Sequence, residues 1–90
     1  MPPVVGEVTV RNVLGLHARA AARFVHLAGR FSSRIRVSAR GQSVDGKSIL
    51  GLLLLAAARG TTLEISADGD DAADAVAALT ALAERGFDEG

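Results

Sequence analysis

Cysteine, tryptophan and tyrosine are absent from the chain, and its three aromatic side chains are all phenylalanine. Without cysteine there is neither a disulfide nor a thiolate metal site, and no metal is expected. A core built under these limits consists of Val, Ile, Leu and Ala, which the hydrophobic fraction of 49% can supply. Both prolines stand at positions 2 and 3, so none interrupts a later helix. Long apolar runs are missing too. The longest, Ile49 to Ala58, is too short to span a bilayer, so membrane insertion is not expected. The start, Met1-Pro2-Pro3-Val4, has neither a basic region nor an apolar run, and a signal peptide is not expected. These absences lead to a soluble cytoplasmic protein forming one small domain over residues 1–90, near the lower size limit of a single core.

Net charge is absent as well, but the balance hides a division. Residues 1–60 carry nine basic side chains against two acids, a balance of +7. Residues 61–90 carry one against eight, a balance of −7. A basic part of the surface facing an anionic partner or substrate is expected. Nucleic acid is not, because no aromatic platform or base-reading motif accompanies the arginines.

The basic part contains Gly15-Leu16-His17-Ala18-Arg19-Ala20-Ala21-Ala22-Arg23-Phe24-Val25, where a glycine turn leads into a helix rich in alanine. His17 falls at or before its first turn, where backbone N–H groups have no partner within the helix. Those donors and the positive end of the dipole favour an anion. Arg19, two residues on, supplies a planar fork able to grip a phosphate. The arrangement suits a phosphoryl group carried on an imidazole nitrogen, with the ring exposed and neutral beside the positive helix end. Turnover catalysis is not expected, because there is no second acid–base group, metal cluster or nucleotide loop. No cofactor is expected either.

In order along the chain, Val4 to Val10 alternates as a half-buried strand. A helix follows from about Ala18 to Gly29, with Ala21, Phe24, Val25 and Ala28 toward the core and His26 solvated. Arg34 to Ala39 is the clearest strand, and Arg40-Gly41 turns it into a short edge strand, Gln42 to Val44. Asp45-Gly46-Lys47-Ser48 opens a second helix, Ile49 to about Ala58, closed by Arg59-Gly60. Thr61 to Ala67 is the fourth strand. Asp70 or Asp71 caps a third helix that Gly86 ends, and Phe87 to Gly90 should fray. The order is β-α-β-β-α-β-α, one sheet covered on one face. The second helix is too short and too apolar to bury every leucine, so a partner surface is expected there, with Ile49, Leu50 and Leu53 most exposed and the basic first helix, including Arg23, as its rim.

With both segments in view, the chain resembles the HPr family, histidine-containing phosphocarriers of the phosphoenolpyruvate-dependent sugar phosphotransferase system. Gly15-Leu16-His17-Ala18-Arg19 is similar to the phosphorylation-site signature, and Gly46-Lys47-Ser48-Ile49-Leu50-Gly51 to the signature around a regulatory serine. The resemblance spans roughly Val5 to Gly86. It implies an α+β open-faced β-sandwich, with a four-stranded antiparallel sheet in order 1-4-2-3 and three helices on one face. It implies a carrier rather than an enzyme, with His17 taking a phosphoryl group from enzyme I, through either ring nitrogen, and passing it to IIA-type sugar-specific components. Arg19 supports the phosphate. A bacterial, cytoplasmic monomer follows. Ser48 has two readings, a plain helix N-cap and a phosphorylation site for an HPr kinase/phosphorylase. The family usually has proline where this chain has Ala20, which leaves the first turn less constrained. The alternative is an HPr-like regulatory binding module acting on non-transport partners.

Overall fold

Four strands form one sheet. Arg34–Ala39 and Thr62–Asp68 alternate between buried and exposed side chains, Val4–Thr9 buries only Val8, and Gln42–Asp45 buries none, so the apolar layer comes mainly from the two alternating strands. In the computed structural model, which describes residues 2–89, the four are β1 (Val4–Thr9), β2 (Arg34–Ala39), β3 (Gln42–Asp45) and β4 (Thr62–Asp68). They interleave with α1 (Ala18–Ala28), α2 (Ile49–Leu55) and α3 (Ala72–Glu84), and a single 3-10 turn follows at Gly86–Asp88. The sheet is antiparallel throughout in the order β1-β4-β2-β3. Val8, Ile35, Val37, Ala39, Leu63, Ile65 and Ala67 are buried on one face, while Arg34, Arg36 and Glu64 are exposed on the other. This is the open-faced sandwich that the resemblance implies, with all three helices on the apolar face.

α3 lies over β1 and β4, and α1 packs between α2 and α3. Gly6, paired with Ile65, permits the close approach of α3: a Cβ there would stand 2.7 Å from Val76 Cγ1. Within α1 the buried stripe is Ala20, Ala21, Phe24 and Ala28. Val25, expected in the core, is half-buried, and Ala20 takes the inward place that the helical period assigns. His26 is exposed, as the sequence implied.

Three expectations are corrected. α2 ends at Leu55, not near Ala58, because Ala56 takes the left-handed conformation (φ 51) and donates its N–H to the Leu53 carbonyl. The following segment serves tertiary contacts instead. Leu55 O accepts from the Arg40 guanidinium at 2.6 Å, and Ala57 O accepts from the Leu16 N–H at 2.9 Å. Second, Asp71 is the N-cap residue of α3, one of the two expected positions, but its side chain makes no bond to the helix amides. Its carboxylate accepts from the Ser32 N–H (2.8 Å), the Ser33 N–H (3.0 Å) and the Ser33 hydroxyl (2.5 Å), pinning the connector between α1 and β2. Third, the chain after α3 does not fray: Phe87 is fully buried and joins the core. Gly86, Phe87 and Asp88 all have positive φ, and this reverses the chain toward the start of α1. Met1 and Gly90 lie outside the described residues.

The Asp71 contacts give an acid-stability prediction. The Ser33 hydroxyl and the connector N–H groups lower its carboxyl from 3.8 to about 2. A carboxyl lowered on folding stabilises the protein above its unfolded value, and that contribution disappears as pH falls through the folded value. Asp71→Asn is therefore expected to lower the urea midpoint near neutrality. Its deficit against wild type should shrink as pH falls from about 4 toward about 2, measured by urea titrations at several pH values. A deficit independent of pH would show that the charge is not what matters.

Candidate functional site

The loop between β1 and α1 is set by one glycine. Gly15 has φ +66, and a Cβ on it would meet the Ala57 carbonyl at 2.5 Å, so only glycine lets the loop rest against the chain leaving α2. The neighbouring Leu16 is buried, and its N–H donates to that same carbonyl at 2.9 Å. His17 then emerges as the N-cap of α1, with extended backbone (φ −84, ψ −177) and its carbonyl accepting from the Ala21 N–H at 2.8 Å.

Both ring nitrogens of His17 have partners. Nδ1 accepts from the Arg19 backbone N–H at 3.3 Å, a long and weak cap bond. Nε2 lies 2.5 Å from Glu89 Oε1. One contact needs a lone pair on the ring and the other needs a proton, so the network assigns the proton to Nε2 and the free pair to Nδ1. The ring is thus less exposed than expected: its side chain is 26% accessible and that of Glu89 is 14% accessible. It also has a carboxylate beside it, an opposing charge that a reading of the helix end alone does not include.

Glu89 is itself held. Its Oε1 accepts from Asn12 Nδ2 at 2.7 Å, and the same amide donates to Gly15 O at 2.7 Å. The hydrogen bond from His17 lowers the Glu89 carboxyl below its ordinary value; partial desolvation opposes this, and Asn12 and the Arg23 charge reinforce it. Arg23 has a structural role that the sequence did not announce. Its Nη1 donates to the carbonyls of Phe87 (2.8 Å) and Asp88 (2.9 Å) and clamps the tail to α1. Arg19 is exposed and, with Arg11, Asn12, Val13 and Leu14, lines a cleft of about 590 Å³ to which Glu89, the partner of His17, contributes. Its backbone N–H, not its guanidinium, is the group bonded to His17.

Ser48 stands at the start of α2, where its hydroxyl accepts from the Gly51 N–H at 2.9 Å. The N-cap geometry expected of it is present. Beyond it the exposed apolar surface differs from the expected ranking: Leu54 (70%) and Leu50 (67%) are the most accessible, with Ile49 (42%) and Leu53 (37%) on the flanks. Leu52 and Leu55 face the core, and their direction turns Leu50 outward. Val13 and Leu14, in the loop before His17, are also exposed and were missed. Two apolar residues in a loop without strand or helix periodicity were the available signal. Glu89 and Asn12 were missed as well, and no local pattern marks either one.

Among the described residues no helix is long and apolar enough to cross a membrane, and no group of acidic or histidine side chains is arranged to hold a metal. The family model for the PTS HPr component phosphorylation site matches residues 4–85. The chain belongs to the HPr family. It is 48% identical over 85 residues to the phosphocarrier protein HPr of Pseudomonas aeruginosa, covering 93% of this chain and 94% of that protein. The solved structure of HPr-C-His from Thermoanaerobacter tengcongensis superposes with a TM-score of 0.89 at 41% identity, over 100% of this chain and 99% of that one. The HPr-like protein Crh of Halalkalibacterium halodurans is 42% identical over 79 residues, 88% of this chain and 94% of its own. As an HPr-family member the chain is a phosphocarrier component of the phosphotransferase system, and its partners are those of that system in general.

Proposed function

We propose that His17 carries the phosphoryl group on Nδ1, accepting it from enzyme I and passing it to IIA-type components. The observation supporting this is the arrangement of the two ring nitrogens: Nε2 is committed to Glu89, and Nδ1 faces the first amides of α1. A phosphoryl group on Nδ1 would replace the weak Arg19 cap bond with a charge-assisted one and lie at the positive end of the helix. Arg19, exposed at the cleft, is free to swing its guanidinium onto the phosphoryl oxygens. In the transfer the Nδ1 lone pair forms the N–P bond while the donor's bond to phosphorus breaks and its electron pair leaves with the donor. The exposed leucines of α2 supply the apolar centre of the docking surface. The protein acts as a monomeric, single-domain cytoplasmic carrier. The alternative, an HPr-like regulatory module for non-transport partners, gives no role to a histidine whose two nitrogens are so arranged.

Incubation with phosphoenolpyruvate and enzyme I should add one acid-labile phosphoryl group, read by intact mass. An unchanged mass would overturn the carrier reading and favour the regulatory one.

Ser48 adds a regulatory role to this reading. A phosphate from HPr kinase/phosphorylase would bring a charge of about −1.5 to −2 beside Ile49 and Leu50, in the docking surface. Ser48→Asp is expected to slow phosphorylation by enzyme I severalfold at low salt, and less at high salt, with thermal stability retained. A rate equal to wild type at low salt would leave Ser48 as a helix cap only.

A further inference from the structure

We propose that Glu89 is a positioning residue for phosphoryl transfer, holding His17 with its proton on Nε2 and stabilising the positive charge that the ring gains when Nδ1 is phosphorylated. This rests on His17 being the acceptor. The geometry is a carboxylate oxygen 2.5 Å from the ring nitrogen opposite the reacting one, steadied by Asn12 at 2.7 Å. The contact joins residues 72 apart in sequence, so something must hold the tail in place. Three features do: the buried Phe87 side chain, the Arg23 clamp on two successive carbonyls, and the Glu89 N–H donating to Gly86 O at 3.2 Å. A chain end fastened this way delivers its carboxylate to one place.

The chemistry follows from the proton count. In the neutral ring only one nitrogen has a free pair, and a proton fixed on Nε2 leaves that pair on Nδ1. When Nδ1 bonds to phosphorus, Nε2 keeps its proton and the ring becomes cationic. A carboxylate in contact with that N–H stabilises the cation, as the aspartate does for the histidine of hydrolytic triads. In the onward transfer the N–P bond breaks, its electron pair returns to Nδ1, and a ring still protonated on Nε2 is the better leaving group. The same contact therefore serves both directions.

The charged groups around the pair are Arg23 on α1, Arg19 and Arg11 along the cleft, and Glu84, Arg85 and Asp88 at the end of α3 and in the tail. Arg85 is paired with Asp88 at 2.8 Å, and the Glu89 carboxyl is held below its ordinary value first by the His17 hydrogen bond, with Asn12 and, least, the Arg23 charge adding to it.

The test uses the full chain with Glu89→Gln and Glu89→Ala. Glutamine keeps an acceptor in place and removes the charge, whereas alanine removes both. In wild type the ¹⁵N shifts of the His17 ring should report a proton on Nε2 and a free pair on Nδ1. Glu89→Gln should keep that signature, and Glu89→Ala should show a mixture of tautomers. Both variants should accept phosphate from enzyme I about tenfold more slowly, with unchanged thermal midpoints. Wild-type tautomer populations in Glu89→Ala, or transfer in Glu89→Gln as fast as wild type or faster, would overturn the proposal. If wild type itself takes no phosphate, the carrier reading is what fails, and the ring shifts still decide whether Glu89 positions His17.

Discussion

His17→Ala is expected to accept no acid-labile phosphate from enzyme I while keeping its fold. The imidazole is the only side chain at the start of α1 that combines a free nitrogen pair with the unpartnered helix amides, so its removal leaves no acceptor there. Its structural contribution is small. The cap bond is long at 3.3 Å, and losing a cap typically costs about 1 kcal/mol. The Glu89 carboxylate loses its partner as well but keeps Asn12. The variant should therefore unfold cooperatively at a slightly lower urea midpoint, and its mass should not change after incubation with phosphoenolpyruvate and enzyme I. His17→Asn restores a good cap without a nucleophile, and it should recover the stability and not the phosphate. Acid-labile phosphate on either variant would remove His17 from the carrier role.

Phe87→Ala is expected to destabilise the protein by about 3–5 kcal/mol, the usual cost of emptying a buried phenylalanine site. In a domain whose whole stability is of the order of 5–15 kcal/mol, that is a large fraction. The side chain is fully buried and belongs to the same core cluster as Phe24 and Leu79. The left-handed backbone at this position (φ 56) is equally demanding for alanine, so the loss measures the side chain alone. Phe31, half-buried against the core, is the control, and Phe31→Ala should cost clearly less. Urea unfolding of the two variants makes the comparison. A loss below about 1 kcal/mol in Phe87→Ala would mean that the tail frays in solution. The consequence extends beyond stability, because Phe87 anchors the segment that presents Glu89 to His17.

The parts of this protein legible in its sequence are those in which neighbouring residues decide the outcome. Two-residue alternation in Arg34–Ala39 and Thr62–Asp68, against three- and four-residue spacing in Ala18–Ala28, assigned the elements and their order. Gly15 before an alanine-rich run placed His17 at a helix start, and Ser48 before an apolar run marked a second one. These are short-range effects, governed by steric limits on the backbone and by the unpartnered amides of a first turn. What failed depended on partners far along the chain. α2 ended early where Ala56 turns left-handed and Leu55 O and Ala57 O bond to Arg40 and Leu16, and the Asp71 side chain turned from its own helix to Ser32 and Ser33. Arg23, expected at the rim of a partner surface, binds the carbonyls of Phe87 and Asp88, a role no local pattern announced. A terminal Gly-Phe-Asp-Glu segment has no local reason to be ordered. Burial of one phenylalanine supplied the free energy, and the arginine fixed the path. The sequence by itself determined that a histidine would stand at a positive helix end. Only the tertiary structure decided that a carboxylate would stand behind it, because a contact spanning 72 residues forms only after the core has brought the two ends of the chain together.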